Sequence, residues 1–184
     1  ACVEGTCYER FPILYNSGGG YFGPSNDPEY GLHGGSLAVG DLDGDGGLEI
    51  AVVGEDGGGS ARFKVYVRGG INGYTVIQEP AGADHGYRYG AAVVMGDVDS
   101  DGDLDLIVAG EDGAGVRRLQ VYGNAGGVLT LTQTLLAGTE GLDNAHLRLA
   151  DLDLDGDLDL VAAGHNWDGT TDRTRLVVFP NVAG

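Results

Sequence analysis

Three stretches of the sequence place a carboxylate at every second position: DLDGDGGLE at 41–49, DVDSDGDLD at 97–105 and DLDLDGDLD at 151–159. Numbered from the first Asp, positions 1, 3 and 5 are Asp41, Asp43 and Asp45, then Asp97, Asp99 and Asp101, then Asp151, Asp153 and Asp155. Alternate side chains converge on one point when the backbone curls, and a glycine at position 6 (Gly46, Gly102, Gly156) permits the sharp turn. The carbonyl at position 7 (Gly47, Asp103, Asp157) can add an oxygen, and the acid at position 9 (Glu49, Asp105, Asp159) closes the shell. Hard oxygen ligands in this number suit Ca²⁺, whereas Mg²⁺ demands tighter octahedral geometry and keeps several waters. One Ca²⁺ per loop, up to three in all, is therefore expected. Without a cation the crowded carboxylates repel, so binding should be linked to ordering of the loop. The alternative is a solvated acidic turn. The helix-flanked calcium loop is excluded: its glutamate at position 12 is replaced by Val52, Val108 and Ala162, and strands flank the loops.

The first acids, Asp41, Asp97 and Asp151, stand 56 and 54 residues apart, and the similarity extends well beyond the loops. A short apolar run precedes each loop (SLAVGD, AAVVMGD, HLRLAD) and a second follows it (LEIAVVGED, LDLIVAGED, LDLVAAGHN). Across a polar or glycine-rich turn comes a third (RFKVYVRGG, RLQVYGNAGG, RLVVFPNVAG), and the first two units add a fourth (YTVIQEP, VLTLTQTLL). These runs are rich in Val, Leu, Ile and Tyr and bounded by Gly, Asn and Asp, which predicts strands and no helix. The expected fold is all-β: β-propeller-type blades of four antiparallel strands, about three of them, forming an incomplete ring. A β-sandwich containing similar hairpins is the competing architecture. Blades are expected at about 30–84, 85–140 and 141–184, the last lacking its fourth strand. Residues 1–29 form an N-terminal segment in which FPILYNSGGGYFG resembles the late-strand passage LQVYGNAGGVLTL, a strand available for donation to another copy.

The segments GDLDGDGGLEIAVVGED, GDVDSDGDLDLIVAGED and ADLDLDGDLDLVAAGHN resemble the FG-GAP/VCBS repeats of integrin-type β-propellers. That resemblance implies that each D-x-D-x-D-G-x-x-D loop holds calcium between the first two strands of a blade. The sequence departs from the fuller family pattern in lacking a clear Phe-Gly before each first strand and a Gly-Ala-Pro after the second. Members of the family serve in adhesion, glycan binding, toxin and enzyme-accessory roles, so the fold alone does not select a function.

The remaining features narrow the class. With 28 acidic residues against 10 basic and a net charge of −18, nucleic acid and anionic membranes are unsuitable partners and cations suitable ones. Three bound Ca²⁺ ions would add +6 and leave −12. No stretch approaches the roughly 18 apolar residues of a membrane span. Cys2 and Cys7 read as a small disulfide loop, with free thiols the alternative, and a disulfide suits an extracellular setting. His33, His85, His146 and His165 do not repeat with the units, and no catalytic motif accompanies them, so no enzyme activity is expected. Trp167, between Asn166 and Asp168, could stack on a sugar ring or pack against a neighbouring blade. Arg117 and Arg118 read as a solvated strand edge, with pairing to acidic loops the alternative. The expected function is a secreted or cell-surface, calcium-binding structural or adhesive protein that self-associates head to tail into an oligomer or filament. A glycan-binding module is the alternative, followed by an accessory domain of an extracellular enzyme. A processed piece of a longer propeller would also explain an incomplete ring.

Overall fold

The computed structural model describes residues 32–69, 73–80, 86–167 and 169–182 in full, with the backbone of four short strands before them. Those four are β1 (Cys2–Val3), β2 (Thr6–Cys7), β3 (Leu14–Asn16) and β4 (Phe22–Pro24). β1 pairs with β2, placing Cys2 opposite Cys7, and β3 pairs with β4 in a separate two-stranded sheet. The expected disulfide and the expected donor strand depend on side chains outside the described residues.

Three antiparallel sheets follow. Blade one consists of β5 (His33–Gly40), β6 (Glu49–Glu55), β7 (Ala61–Gly69) and β8 (Gly73–Gln78). Blade two consists of β9 (Arg88–Gly96), β10 (Asp105–Glu111), β11 (Arg117–Ala125) and β12 (Val128–Ala137). Blade three consists of β13 (Asp143–Ala150), β14 (Asp159–Trp167) and β15 (Asp172–Phe179). A single 3₁₀ turn, Gly138–Glu140, links blades two and three. Strands in each blade meander in sequence order, so every connection is a hairpin and every acidic loop joins a first strand to a second.

The cores lie between blades, not within them. Alternate residues of a strand point to opposite faces, and β10 uses both. Leu106 and Val108 pack with Val53, Phe63 and Val65 of blade one, while Ile107 and Ala109 pack with Leu147 and Leu160 of blade three. Between its terminal Asp105 and Glu111, β10 is therefore apolar, as a strand buried on both faces must be. Phe63 meets Tyr122 edge-on with ring centroids 5.1 Å apart, and the buried hydroxyl of Tyr87 bonds both Gln120 and Tyr122. The first strands β5, β9 and β13 lie side by side, which draws the acidic loops to one end of the stack.

Two glycines show how closely the blades approach. A Cβ on Gly40 would stand 2.6 Å from Leu104 Cδ1, and one on Gly96 would stand 2.6 Å from Leu149 Cδ1 and 3.0 Å from Leu158 Cδ1. Each glycine immediately precedes a loop, so the leucine at position 8 of the next loop seats against a bare backbone. Arg117 and Arg118 correct the expectation of a solvated edge. Arg118 reaches back to the buried Asp112, and Arg117 bonds Asp143 of blade three through Nε. With both guanidinium groups paired to carboxylates, only about a fifth of each side chain is exposed.

Candidate metal centre

The three loops fold alike. The carboxylate of position 1 accepts main-chain N–H groups from the far side of the turn: Gly44 (2.8 Å) and Gly46 (2.9 Å) on Asp41, Asp101 (3.2 Å) and Gly102 (3.0 Å) on Asp97, Asp155 (3.2 Å) and Gly156 (3.1 Å) on Asp151. Position 3 accepts the N–H of position 5, and position 5 accepts that of position 7. Such short-range bonds curl the chain around its own acids. Ligand oxygens of Asp41, Asp43 and Asp45 lie within 4.8 Å of one another, as do those of Asp97, Asp99 and Asp101, and those of Asp151, Asp153 and Asp159. Asp155 is the position-5 acid that falls outside the third group, where the position-9 acid takes its place.

Glycine at position 6 has φ of 86°, 97° and 104° in Gly46, Gly102 and Gly156, the left-handed region the sequence reading assigned to it. Position 4 is left-handed too, with φ of 73° at Gly44, 61° at Ser100 and 64° at Leu154. Sequence reasoning missed this second reversal, because serine and leucine give no signal for it; Gly44 alone hinted at it.

Position 9 is the anchor. Glu49, Asp105 and Asp159 are at most 1% exposed and begin the second strand of each blade. One oxygen of each accepts the N–H of position 2: Leu42 (2.8 Å), Val98 (2.9 Å) and Leu152 (2.8 Å). The second oxygen of Asp105 accepts the N–H of Asn124 (2.9 Å), and that of Asp159 the N–H of Asn181 (2.8 Å). By register Arg68 stands in blade one where Asn124 stands in blade two, and there Glu49 Oε1 is buried with no hydrogen-bond partner. A Cβ on Gly47 would lie 2.8 Å from Asp45 Oδ1 and 3.9 Å from Glu49 Oε1, so Asp45 and that orphan oxygen both border the bare position 7 of the first loop. A buried, unpartnered carboxylate oxygen among acids is a strong demand for positive charge.

Position 7 turns its side chain away. Asp103 Oδ2 accepts the N–H of Gly126 (2.9 Å), and Asp157 Oδ1 lies 3.4 Å from Ser100 Oγ of the preceding loop. The protonation balance agrees with an excess of negative charge. Burial, reinforced by Asp99 and Asp101, pushes the Asp105 carboxyl up against the lowering pull of its two N–H donors. Lost hydration, with the charges of Asp155 and Asp159, likewise raises Asp153.

Residues outside the loops have other work. His33 lies 3.2 Å from Glu55 and His165 3.2 Å from Asp172, while His146 is exposed on β13. His85 and Asp168 lie outside the described residues. Trp167 is 43% exposed at the end of β14, but Asn166 turns inward and donates to the Thr139 carbonyl (2.7 Å), so it does not flank the ring as a surface amide. Asp56 and Asp112, in the turns between second and third strands, were not singled out from sequence. Each accepts two N–H groups of its own turn and an arginine, Arg62 or Arg118, from the next strand.

Stacked antiparallel blades, each carrying one acidic loop between its first two strands, define a propeller-like repeat protein. A family model described as FG-GAP-like repeat matches residues 41–108 and 97–162, well over half of the chain, and the chain belongs to that family. No curated protein matches the chain at a significant level.

Proposed function

We propose that this chain is a secreted, calcium-binding structural or adhesive repeat protein in which one Ca²⁺ per loop locks each blade's turn. The observation that carries the reading is Glu49: a buried carboxylate oxygen without a hydrogen-bond partner, at position 9 of the loop whose Asp41, Asp43 and Asp45 converge. Asp41, Asp43, Asp45 and Glu49 would hold the first ion, Asp97, Asp99, Asp101 and Asp105 the second, and Asp151, Asp153, Asp155 and Asp159 the third. The main-chain oxygens of Gly47, Asp103 and Asp157 are available beside them. Calcium would supply the positive charge that these acids lack and fix the loop that joins two strands. Isothermal titration of the metal-free chain with Ca²⁺, alongside a fully substituted Asp41, Asp97 and Asp151 variant, tests this; equal binding by both would refute it.

Self-association through blade faces belongs to the same reading. Leu152 at position 2 of the third loop is 52% exposed, whereas Leu42 at position 2 of the first is 2% exposed beneath blade two. At the other end Leu37 of β5 is 48% exposed. A molecule carrying both faces is complementary to itself, and head-to-tail contact between copies gives a ring or a filament. Binding of glycans is the second reading, favoured by the exposed Trp167 ring, and loss of sugar binding in Trp167→Ala would be its signature.

A further inference from the structure

Asn124 sits where two acidic loops meet. Its Nδ2 donates to the carbonyl of Leu42, position 2 of loop one, at 2.7 Å, and to that of Leu104, position 8 of loop two, at 2.9 Å. Its Oδ1 accepts the N–H of Gly127 (2.9 Å), and its own N–H is bound by Asp105, position 9 of loop two. Both N–H donors and one lone pair of the side-chain amide are thus engaged, which holds it in one orientation. The turn that follows is wedged between the same loops: Gly126 donates to Asp103 of loop two, and a Cβ on Gly127 would stand 2.8 Å from Asp43 Cβ of loop one.

The arrangement recurs one blade later. Asn181 donates through Nδ2 to the carbonyl of Val98, position 2 of loop two, at 2.7 Å, and through its N–H to Asp159 of loop three. A continuous chain of hydrogen bonds therefore runs from Glu49 through Leu42 and Asn124 to Asp105, then through Val98 and Asn181 to Asp159. Leu42 and Val98 are thus gripped on both sides, each N–H by its own loop's position-9 acid and each carbonyl by an asparagine, Asn124 for Leu42 and Asn181 for Val98.

We infer that Asn124 and Asn181 are positioning residues that couple neighbouring cation sites, so that filling one loop raises the affinity of the next. This rests on the calcium reading above. A cation drawn to Asp41 and Asp43 fixes Leu42, which lies between them; Leu42 fixes the amide of Asn124; and Asn124 holds Leu104 and Asp105 of the second loop. The second ion then meets a loop whose ordering has already been met, which is positive coupling through conformational entropy.

Amide NMR of the full chain can follow each site separately, because the N–H groups of Gly46, Gly102 and Gly156 each bond the first Asp of one loop. Ca²⁺ is titrated into wild type, into Asp43→Asn/Asp45→Asn, and into both again carrying Asn124→Ala. In the wild-type background, disabling loop one should weaken loop two by about five-fold. With Asn124→Ala the same substitutions should change loop two less than about two-fold. Gln78→Ala is the control: it removes two bonds to Leu129 between the same blades without touching a loop, and should leave the five-fold effect intact. Should Asn124→Ala fail to fold, the half-buried Asn181, with Asp151→Asn/Asp153→Asn, gives the same test between loops two and three. A five-fold effect that survives loss of the asparagine, or none in wild type, would overturn the coupling alone. Glycine signals that never respond to Ca²⁺ would instead overturn the calcium reading.

Discussion

Leu37 and Val93 occupy the same register position in the first strands of blades one and two, yet Leu37 is 48% exposed and Val93 4%. The difference lies in what stands before each blade: Val93 packs in the core shared with blade one. If self-association uses this face, as proposed, Leu37→Asp should reduce it while leaving the melting temperature of the monomer nearly unchanged. Val93→Asp should abolish folding, since an unpaired carboxylate would enter the core. Light scattering and thermal melts of the two variants read both effects; wild-type assembly by Leu37→Asp would remove this face from consideration.

At Leu154 a branched side chain is held at φ 64°, and it is 86% exposed, so it gains almost nothing by packing. A left-handed L-residue costs about 1–2 kcal/mol, while glycine returns part of that through greater freedom of the unfolded chain. Leu154→Gly should stabilise the protein by about 0.5 kcal/mol, and Gly44→Leu should destabilise it by a similar or larger amount. Urea unfolding of both variants checks the opposed signs.

Asp112 is completely buried and gathers the N–H groups of Ala114 and Val116 and the guanidinium of Arg118. Removing the carboxylate takes the acceptor from all three donors and leaves the partly buried Arg118 without its counter-charge, so Asp112→Ala should cost about 2–3 kcal/mol. Asp112→Asn, which keeps the turn's acceptor oxygen, should cost less. Equal losses would show that the pairing with Arg118, not the turn bonds, carries the effect.

Its counterpart Asp56 supplies the pH dependence. Partial burial works to raise this carboxyl, but the N–H groups of Ser60 and Gly58 and the guanidinium of Arg62 together outweigh it and hold it below the usual carboxylate range. A carboxyl lowered on folding contributes stability above its unfolded value, and loses it as pH falls through the folded one. Between about pH 5 and about pH 3, wild type should therefore lose more stability than Asp56→Asn. Parallel denaturant titrations at the two pH values measure it, and identical losses would contradict the assignment.

Much of the fold was legible because its signals are local. The repeat spacing, the strand runs and the D-x-D-x-D-G loops specify blades and acid clusters directly, and in the structure positions 1 and 3 converge in all three loops. What escaped was determined by neighbours. Asn124 and Asn181 look like turn residues in sequence, and only the stacking of blades shows that their amides reach the preceding loop. The same holds for Arg117, whose partner Asp143 belongs to another blade. The asymmetry of Glu49 was visible as a Glu for Asp exchange, but that one of its oxygens is buried without a hydrogen-bond partner shows only in the fold.

Calcium occupancy of the loops is the central claim, and equilibrium titration calorimetry of the metal-free chain addresses it most directly. We expect three Ca²⁺ per chain, one for each acid cluster, and a rise in unfolding free energy of about 2.7 kcal/mol per site at a hundred-fold excess over the dissociation constant. Removal of the metal by a chelator should reverse that rise. A chain that takes up no Ca²⁺ at millimolar concentration, and melts identically with and without it, would contradict the claim.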